Sequence, residues 1–445
     1  MKATPLDLLA ELIRRAKLAG ADAADALAVR SLSLGASWRL GRPEDIERSE
    51  AEDLGLRVFV GRSQAFVSTT DRSDDALDEV VRRAVLMAKS TPEDPYCGLA
   101  DGELLCTLPP ELDLIEEGEP AIERLVERAR ACEEAALAVP GVTNSEGAGA
   151  SWGRTDVALA TSGGFAGAYS GSQNSVSVSV IAGEGTGMER DYDYASARHL
   201  ADLESAAEVG KRAGERTVRR LGARKVASRR APVIYDPRVA GGLLGHLAAA
   251  ISGPAIARGT SFLRDRLGQQ VFAPGISVID DPHRRRGLRS RPFDAEGVAN
   301  HRQELVADGR LTTWLLDSAS ARQLGMRSTG HATRGAASPP SPAPTNLYLA
   351  AGSLTPDALM ADIDQGLYVT ELIGFGVNGV TGDYSRGAAG FWIEKGAIAY
   401  PVSEITIAGN LKDMFRHLTP ASDLVFRHGT DSPTVRIDAM TIAGT

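Results

Sequence analysis

Apolar residues recur at helical spacing through residues 5–20, where Leu8, Leu9, Leu12, Ile13 and Ala16 fall on one face. The spacing predicts an amphipathic helix. Strand-like runs follow at ADALAVR (24–30), LGLRVFVG (54–61) and SQAFVST (63–69). SDDALDEVVRRAVLMAKS opens on Ser73 before two acids, an N-cap pattern that starts a second helix. A Pro- and acid-rich connection over 91–118 leads to a further helix at about 119–138. From 141 to 197 the pattern alternates. In SVSVSVIAG (175–183) Ser and Val exchange faces as in a half-buried antiparallel strand, and 201–222 returns to helical periodicity.

After VIYDP (233–237) short helices mix with strands such as GISVID, ELVADGRLTTWLL and NLYLAAG. Asp308-Gly309 within the second of these is a hairpin turn pair. ATRGAASPPSPAPTN (332–346) carries four prolines and predicts an exposed loop or strap. No repeat of fixed period is visible. The pattern as a whole predicts an α+β fold. An N-terminal α/β-type domain with a mixed sheet spans 1–222, and a β-rich domain spans 223–445.

A chain of 445 residues is long enough for two such domains. The 47 glycines and 5% aromatic content predict many tight turns and a core of Val, Leu, Ile and Ala. A net charge of -9 argues against a general nucleic-acid binder, which needs a basic face to neutralise phosphates. Cys97, Cys106 and Cys132 form no CxxC and are odd in number, so neither a disulfide framework nor a cysteine zinc site is expected. That usage fits a reducing cytoplasm. Asp7, Glu11 and Arg14 interrupt the first helix where a signal peptide would be apolar. The uncharged run Val239–Ala257 is rich in Gly and Ala and holds His246 and Pro254, so it reads as a buried helix rather than a membrane span.

GGLLGHLAAAISG (241–253) puts a histidine where a metallopeptidase helix would keep its metal. Such a helix needs two histidines on one face and a Glu beside the first. With His246 as the first ligand, Leu247 stands in the Glu position and Ala250 or Ile251 in that of the second histidine. With His246 as the second, Gly241 and Gly242 replace the first His and the Glu. Both registers fail, and His246 reads as a packed or hydrogen-bonded helix residue.

Gly374-Phe375-Gly376-Val377-Asn378-Gly379 matches GxGxxG, but no helix follows to meet a pyrophosphate. The segment is expected either as tight turns between strands or as the backbone-lined wall of a cleft. In the second case Thr381, Asp383, Tyr384, Ser385 and Arg386 supply polar contacts. Gly149-Ala150-Ser151-Trp152-Gly153 matches GxSxG, yet RTDVALATSGG after it alternates like a strand, which is not the setting of a nucleophile elbow. In DDPHRRRGLRSRP (280–292), Asp280, Asp281 and His283 lie beside Pro282 and five arginines. A solvated loop or a salt-bridged partner surface suits that run better than a metal site, with anion binding as a lesser option.

The runs HLAAAISGPAIARGTSFLRDRLG, DDPHRRRGLRSRPFDAEGVA and TGDYSRGAAGFWIEKGAIAYPVSEITIAGNLKDMF resemble the TldD/TldE (PmbA) family, on its TldE side. The resemblance extends over most of the chain. It implies an α+β N-terminal domain and a β-rich C-terminal one. In that family TldD members carry HExxxH and a downstream cysteine that hold the metal, and they cut peptides. TldE members lack these and pair with TldD as a heterodimer. This sequence departs from the TldD pattern in that way: His246 stands alone, and no cysteine follows Cys132.

The resemblance thus implies a cytoplasmic peptidase complex acting on small or unfolded peptides, including peptide-antibiotic precursors and antitoxin-like proteins. Zinc is expected in the TldD-type partner, with no cofactor, metal ligand or catalytic residue in this chain. The older family name, modulator of DNA gyrase, implies an indirect link through such substrates, without direct nucleic-acid or membrane contact. A homodimer is expected to form when the partner is absent. Two rivals are a stand-alone metal-independent peptidase using Asp383, Tyr384, Ser385 or His246, and a non-enzymatic protein that binds gyrase or a toxin partner. His246, Thr381, Asp383, Tyr384, Ser385 and Arg386 are the candidate cleft residues.

Overall fold

The computed structural model describes residues 4–444. Its first half is one antiparallel sheet built from β1 (Ala23–Arg39), β2 (Arg42–Val60), β3 (Ser63–Thr69), β4 (Val142–Thr161), β5 (Ala166–Ala182) and β6 (Glu189–Ala197). The strand order is β3-β2-β1-β4-β5-β6. Two helix pairs cover it: α1 (Pro5–Leu18) with α2 (Asp74–Ser90), and α3 (Ile122–Leu137) with α4 (Ala206–Arg219).

Strand periodicity explains why both pairs sit on the same face. In β1 the even positions Ala24, Ala26 and Ala28 pack under α1 and α2. Further along the same strand, Leu34 and Ala36 pack under α3 and α4. Odd positions therefore point the other way. Leu27 of β1 and Leu159 of β4 meet Phe165 and Phe293 there.

β1 and β2 run far beyond the apolar stretches that predict them. The outer part of β2, from Arg42 to Glu50, is exposed at every position. A strand solvated on both faces carries no apolar alternation, so only its hydrogen-bond ladder with β1, from Ala23↔Phe59 to Arg39↔Arg42, defines it.

The second half begins with β7 (Arg229–Tyr235) and α5 (Pro237–Ala250). Short strands follow: β8 (Val278–Asp280), β9 (Gln303–Ala307), β10 (Arg310–Leu311), β11 (Ala332–Thr333), β12 (Ser341–Pro342) and β13 (Leu347–Leu349). Then come the long strands β14 (Gln365–Val377), β15 (Asp383–Glu394) and β16 (Ala397–Asn410). β17 (Leu418–Pro420), β18 (Thr430–Asp431) and β19 (Val435–Ala443) complete the set. β16, β15, β14, β7 and β19 are neighbours in that order, and pairing of β16 with β19 closes them into a barrel. Apolar residues of α5 (Leu243, Leu244, Leu247) share one core with barrel residues such as Val233, Leu367, Trp392 and Ile407. Among the described residues no helix is long and apolar enough to cross a membrane.

Asp308 (φ 47°) and Gly309 (φ 74°) make the two-residue turn joining β9 to β10, as the pair predicts. The proline-rich 332–346 segment is a strap whose ends are pinned together by the β11–β12 ladder, Ala332↔Pro342 and Thr333↔Ser341. The strap crosses to the first sheet, and a Cβ at Gly55 would collide with the carbonyl of Ala336. Glycine is required there because two backbones touch. The segment 374–390 is corrected: Gly374 and Gly376 lie in β14, Gly387 and Gly390 in β15, and the turn occupies only 378–382.

A buried ion cluster ties strap to sheet. Asp25 of β1, 1% exposed, accepts from Arg57 Nε (2.8 Å) and Nη2 (2.5 Å), and from Arg334 Nη1 of the strap (2.6 Å). Burial pushes the Asp25 carboxyl up, but the guanidiniums of Arg334 and Arg57 outweigh it and hold it below its ordinary value of 3.8. Its contribution is complete above that value and is lost as pH falls through the lowered pKa. Asp25→Asn should lower stability by about 3–5 kcal/mol, because two buried cations lose the carboxylate they share. Urea unfolding at neutral pH measures this, and a loss below about 1 kcal/mol would contradict the role given to the cluster.

Candidate functional site

The helix of the GGLLGHLAAAISG run begins with Asp236 as N-cap, whose side chain accepts from the Arg238 amide at 3.0 Å, and with Pro237 in the first turn. Leu243, Leu244, Leu247 and Ala248 face the core. The opposite face shows Gly242, Gly245 and Ala249 to solvent, and a Cβ at either glycine would meet nothing within 4 Å. His246 lies between these faces, half-buried. Its ring stands edge-on to Tyr384 of β15, with centroids 5.9 Å apart and planes at 78°.

Strand alternation divides the remaining candidates. Tyr384 and Arg386 occupy alternate positions of β15, on the side of His246. Burial, then the positive charge of Arg386, depress the His246 pKa below its ordinary 6.5. Arg386 Nε also donates to the Ile373 carbonyl at 3.3 Å. Tyr384, expected as a polar contact in a cleft, is 2% exposed and belongs to the core. Burial raises the phenols of both Tyr384 and its neighbour Tyr235, so each keeps its proton at neutral pH and neither is a ready base.

Asp383 and Ser385 occupy the intervening positions of β15 and are exposed. Thr381 Oγ1 donates to Asp383 Oδ2 at 2.6 Å, and Asn410 Nδ2 donates to Asp383 Oδ1 at 3.0 Å. These bonds hold the Asp383 carboxyl below its usual range. Thr381, Asp383 and Asn410 thus lock the β14–β15 turn, with Asn378 Oδ1 accepting from the Val380 amide at 2.9 Å. Of the six candidates, His246, Tyr384 and Arg386 come together. Thr381 and Asp383 form the turn lock, and Ser385 is apart from both. Ser151 of the GxSxG match lies mid-strand in β4, 2.6 Å from Ser175, far from any elbow.

Among the described residues, no group of three or more His, Cys, Asp or Glu side chains is placed to hold a metal ion. The DDPHRRR run is divided between uses. Asp280 is buried, accepting from the Thr345 amide and hydroxyl (both 2.6 Å) and lying 3.2 Å from His331 Nε2. Arg285 and Arg286 both pair with Asp113, at 3.0 and 2.6 Å. The run is neither a metal site nor a free cationic patch.

Sequence reasoning missed the residues that border a cavity between the sheet and the strap: Arg291, Asp294 and Arg334, with Asp25 and Arg57 behind them. They are scattered over 309 positions, and no local spacing links them. The one usable signal was the proline-rich composition of the strap that carries Arg334.

Residues 24–88, 115–221 and 228–444 match, in turn, the models for domain 1, the central domain and the C-terminal domain of the PmbA/TldA metallopeptidases. Over 425 residues the chain is 40% identical to the metalloprotease PmbA of Escherichia coli O157:H7, covering 95% of this chain and 92% of that protein. A solved structure from Bacteroides thetaiotaomicron, described as a modulator of DNA gyrase, superposes with a TM-score of 0.91. It is 25% identical and covers 99% of this chain and 100% of that one. TldE from Thermococcus kodakarensis shares the fold, with a TM-score of 0.85 at 19% identity over 98% of this chain and 100% of that one.

The depressed His246 pKa has a direct test. Neutral imidazole is favoured in the fold, so the associated stability is complete above 6.5 and is lost as pH falls through the lower folded value. An NMR titration of the His246 ring should show a midpoint below 6.5. Arg386→Gln should raise that midpoint only part of the way back, since burial is the larger cause. An unshifted midpoint in the wild-type chain would refute this account of the site.

Proposed function

The chain belongs to the PmbA/TldA metallopeptidase family, and from that premise we propose that it is the non-catalytic subunit of a two-part peptidase. In this reading it completes a substrate chamber for a TldD-type partner that holds the zinc. The observation that carries the reading is the surroundings of His246. A divalent ion needs several converging donors, whereas His246 has glycines at 242 and 245 on its own helix and a guanidinium beside it. The charge that disfavours a proton on this ring disfavours a metal ion for the same reason. The residues present do not fit a catalytic metal, so no step in this chain is routed through one.

A stand-alone hydrolase finds no support in the same geometry. Ser385 and Asp383 lie on the side of β15 away from His246, and Tyr384 is a protonated core residue. No nucleophile and base are brought within hydrogen-bond reach of each other among these candidates.

The β14–β15 hairpin gives the partner a place to bind. Phe375, near the end of β14, is 98% exposed and Ile373 59%, with Val380 on the turn also exposed. Exposed apolar side chains along a strand edge and its turn suit a protein interface better than open water. Near it, the open Gly242/Gly245 face of α5 has room for another backbone to approach closely. Extended peptide held by main-chain pairing would need no particular side-chain sequence, in keeping with unfolded substrates.

Mixing the purified chain with a TldD-type subunit should produce cleavage of an unfolded peptide that neither chain gives alone. Phe375→Asp should weaken association by at least about tenfold, equivalent to about 1.4 kcal/mol, while leaving the melting temperature of the isolated chain unchanged. Titration calorimetry and a peptidase assay read both effects. Cleavage unaffected by omission of this chain would defeat the proposal.

A further inference from the structure

Between the free face of the first sheet and the strap lies a cavity of about 540 Å³. That is within the roughly 300–1,000 Å³ of small-ligand pockets. Its floor is apolar: Leu27, Val29, Val157 and Leu159 from β1 and β4, with Tyr169 and Phe293 at one side. Its roof is the strap from Thr333 to Ser338, which offers only small side chains beyond Arg334. The roof is propped open because the Ala336 carbonyl rests on Gly55 while Arg334 is tied to Asp25.

Two guanidiniums border this space, those of Arg334 and Arg291. Arg334, its side chain 4% exposed, uses Nη1 on Asp25, and its Nε is buried without a partner. Arg291 spends Nη1 on the Ala332 carbonyl (3.1 Å) and Nη2 on that of Ala343 (3.4 Å), and its Nε is likewise buried and unpaired. Arg291 therefore has carbonyl partners but no bonded carboxylate. Asp294, the buried acid of the lining, does not fill that place. Its Oδ1 accepts from the Glu296 and Val298 amides and its Oδ2 from that of Ala332, at 2.8, 2.9 and 3.1 Å. Asp53 also borders the cavity, but it lies on β2, where the outer strand begins. Each guanidinium keeps Nη hydrogens beyond these bonds, and two cations beside one apolar floor suit one class of group. It is an anion with planar acceptors, attached to an apolar body.

We propose that this cavity binds an apolar carboxylate, with the carboxylate at the guanidiniums of Arg291 and Arg334 and the apolar part on the sheet floor. A peptide ending in an apolar residue and a free aliphatic acid share this chemistry. The site contains no residue of α5 or of the β14–β15 hairpin, so it does not depend on the subunit reading and is measured on this chain alone.

Calorimetry with N-acetyl-Leu-Phe as the free acid, its C-terminal amide and octanoate provides the test. The free acid should bind saturably, and the amide at least about tenfold more weakly, because a charged acceptor for two guanidiniums is removed. Octanoate binding more tightly than the peptide acid would identify a free aliphatic acid as the source, and the reverse order a peptide terminus. Arg291→Gln should weaken acid binding by a similar factor. Ala337→Trp, at an exposed position of the roof that is not expected to affect folding, should block entry. Equal binding of acid and amide, no saturable binding of either acid, or affinity unchanged in both variants would overturn the proposal. Melting curves of the variants separate lost folding from lost binding, and the acid–amide comparison on the wild-type chain stands even if Arg291→Gln fails to fold.

Discussion

One carboxylate joins the two halves of this molecule. Asp25 sits on the first strand and takes hydrogen bonds from Arg57 of the neighbouring strand and Arg334 of the strap, 309 positions away. Glu296 adds a second negative charge 3.9 Å from Arg57. Buried ions are poor sources of net stability, since desolvation consumes most of the attraction. Their effect is on specificity. With both guanidiniums already inside, every arrangement that separates sheet from strap leaves a bare charge in a dry interface. The strap thus has one place to lie, and the contact of Ala336 with Gly55 fixes its height above the sheet.

That constraint explains why the sheet treats its two faces differently. The even positions of β1 are filled by two helix pairs along its length, and a helix-covered face needs no partner beyond them. The odd face is left for the C-terminal half, which covers it only in part, through Phe293 and the strap. Partial cover by a thin, small-residue strap leaves a cavity where a third helix pair would have left none. The polar groups that hold the strap, Arg291 and Arg334, become lining groups of the space beneath it for the same geometric reason.

The helices and the α+β class were legible because their signals are local. The stripe at Leu8, Leu9, Leu12, Ile13 and Ala16 produces α1, and Ser73 caps α2 with its hydroxyl on the Ala76 amide. SVSVSVIAG lies in β5 with Val176, Val178 and Val180 buried, as period two requires. What failed depended on partners distant in sequence. The outer half of β2 has no apolar residue facing a core, and only β1 makes it a strand. GFGVNG looked like loop because glycines rarely favour strands, yet Gly376 and Gly390 are needed where the β14 and β15 backbones crowd together. Spacing alone could exclude a two-histidine metal helix around His246. It could not supply Tyr384 and Arg386, which barrel closure brings to that ring.

Barrel closure also decides where the apolar hairpin points. β7 pairs with β14 only at Leu367, Tyr368 and Val369, because β7 ends at Tyr235 and the chain turns into α5. Beyond that point β14 has β15 on one side and, among the described residues, no paired strand on the other, so its last residues form an edge. Register shifts between Val369 and Glu371, and again between Ile373 and Gly376, add twist to the escaping ribbon. β15 remains anchored to β16 as far as Asp383↔Asn410, and β16 is held by β19 at Thr406, Ile407 and Ala408. The turn is held as well as the base: Asn410 bonds to both Thr381 and Asp383, the Phe262 amide donates to the Gly379 carbonyl at 2.9 Å, and the Leu411 amide donates to that of Gly382 at 2.7 Å. The irregular edge of β14 between Ile373 and Gly376 holds Phe375 away from its own core. The short reach of β7, set by the Asp236-Pro237 helix start, is the local feature from which that exposure follows.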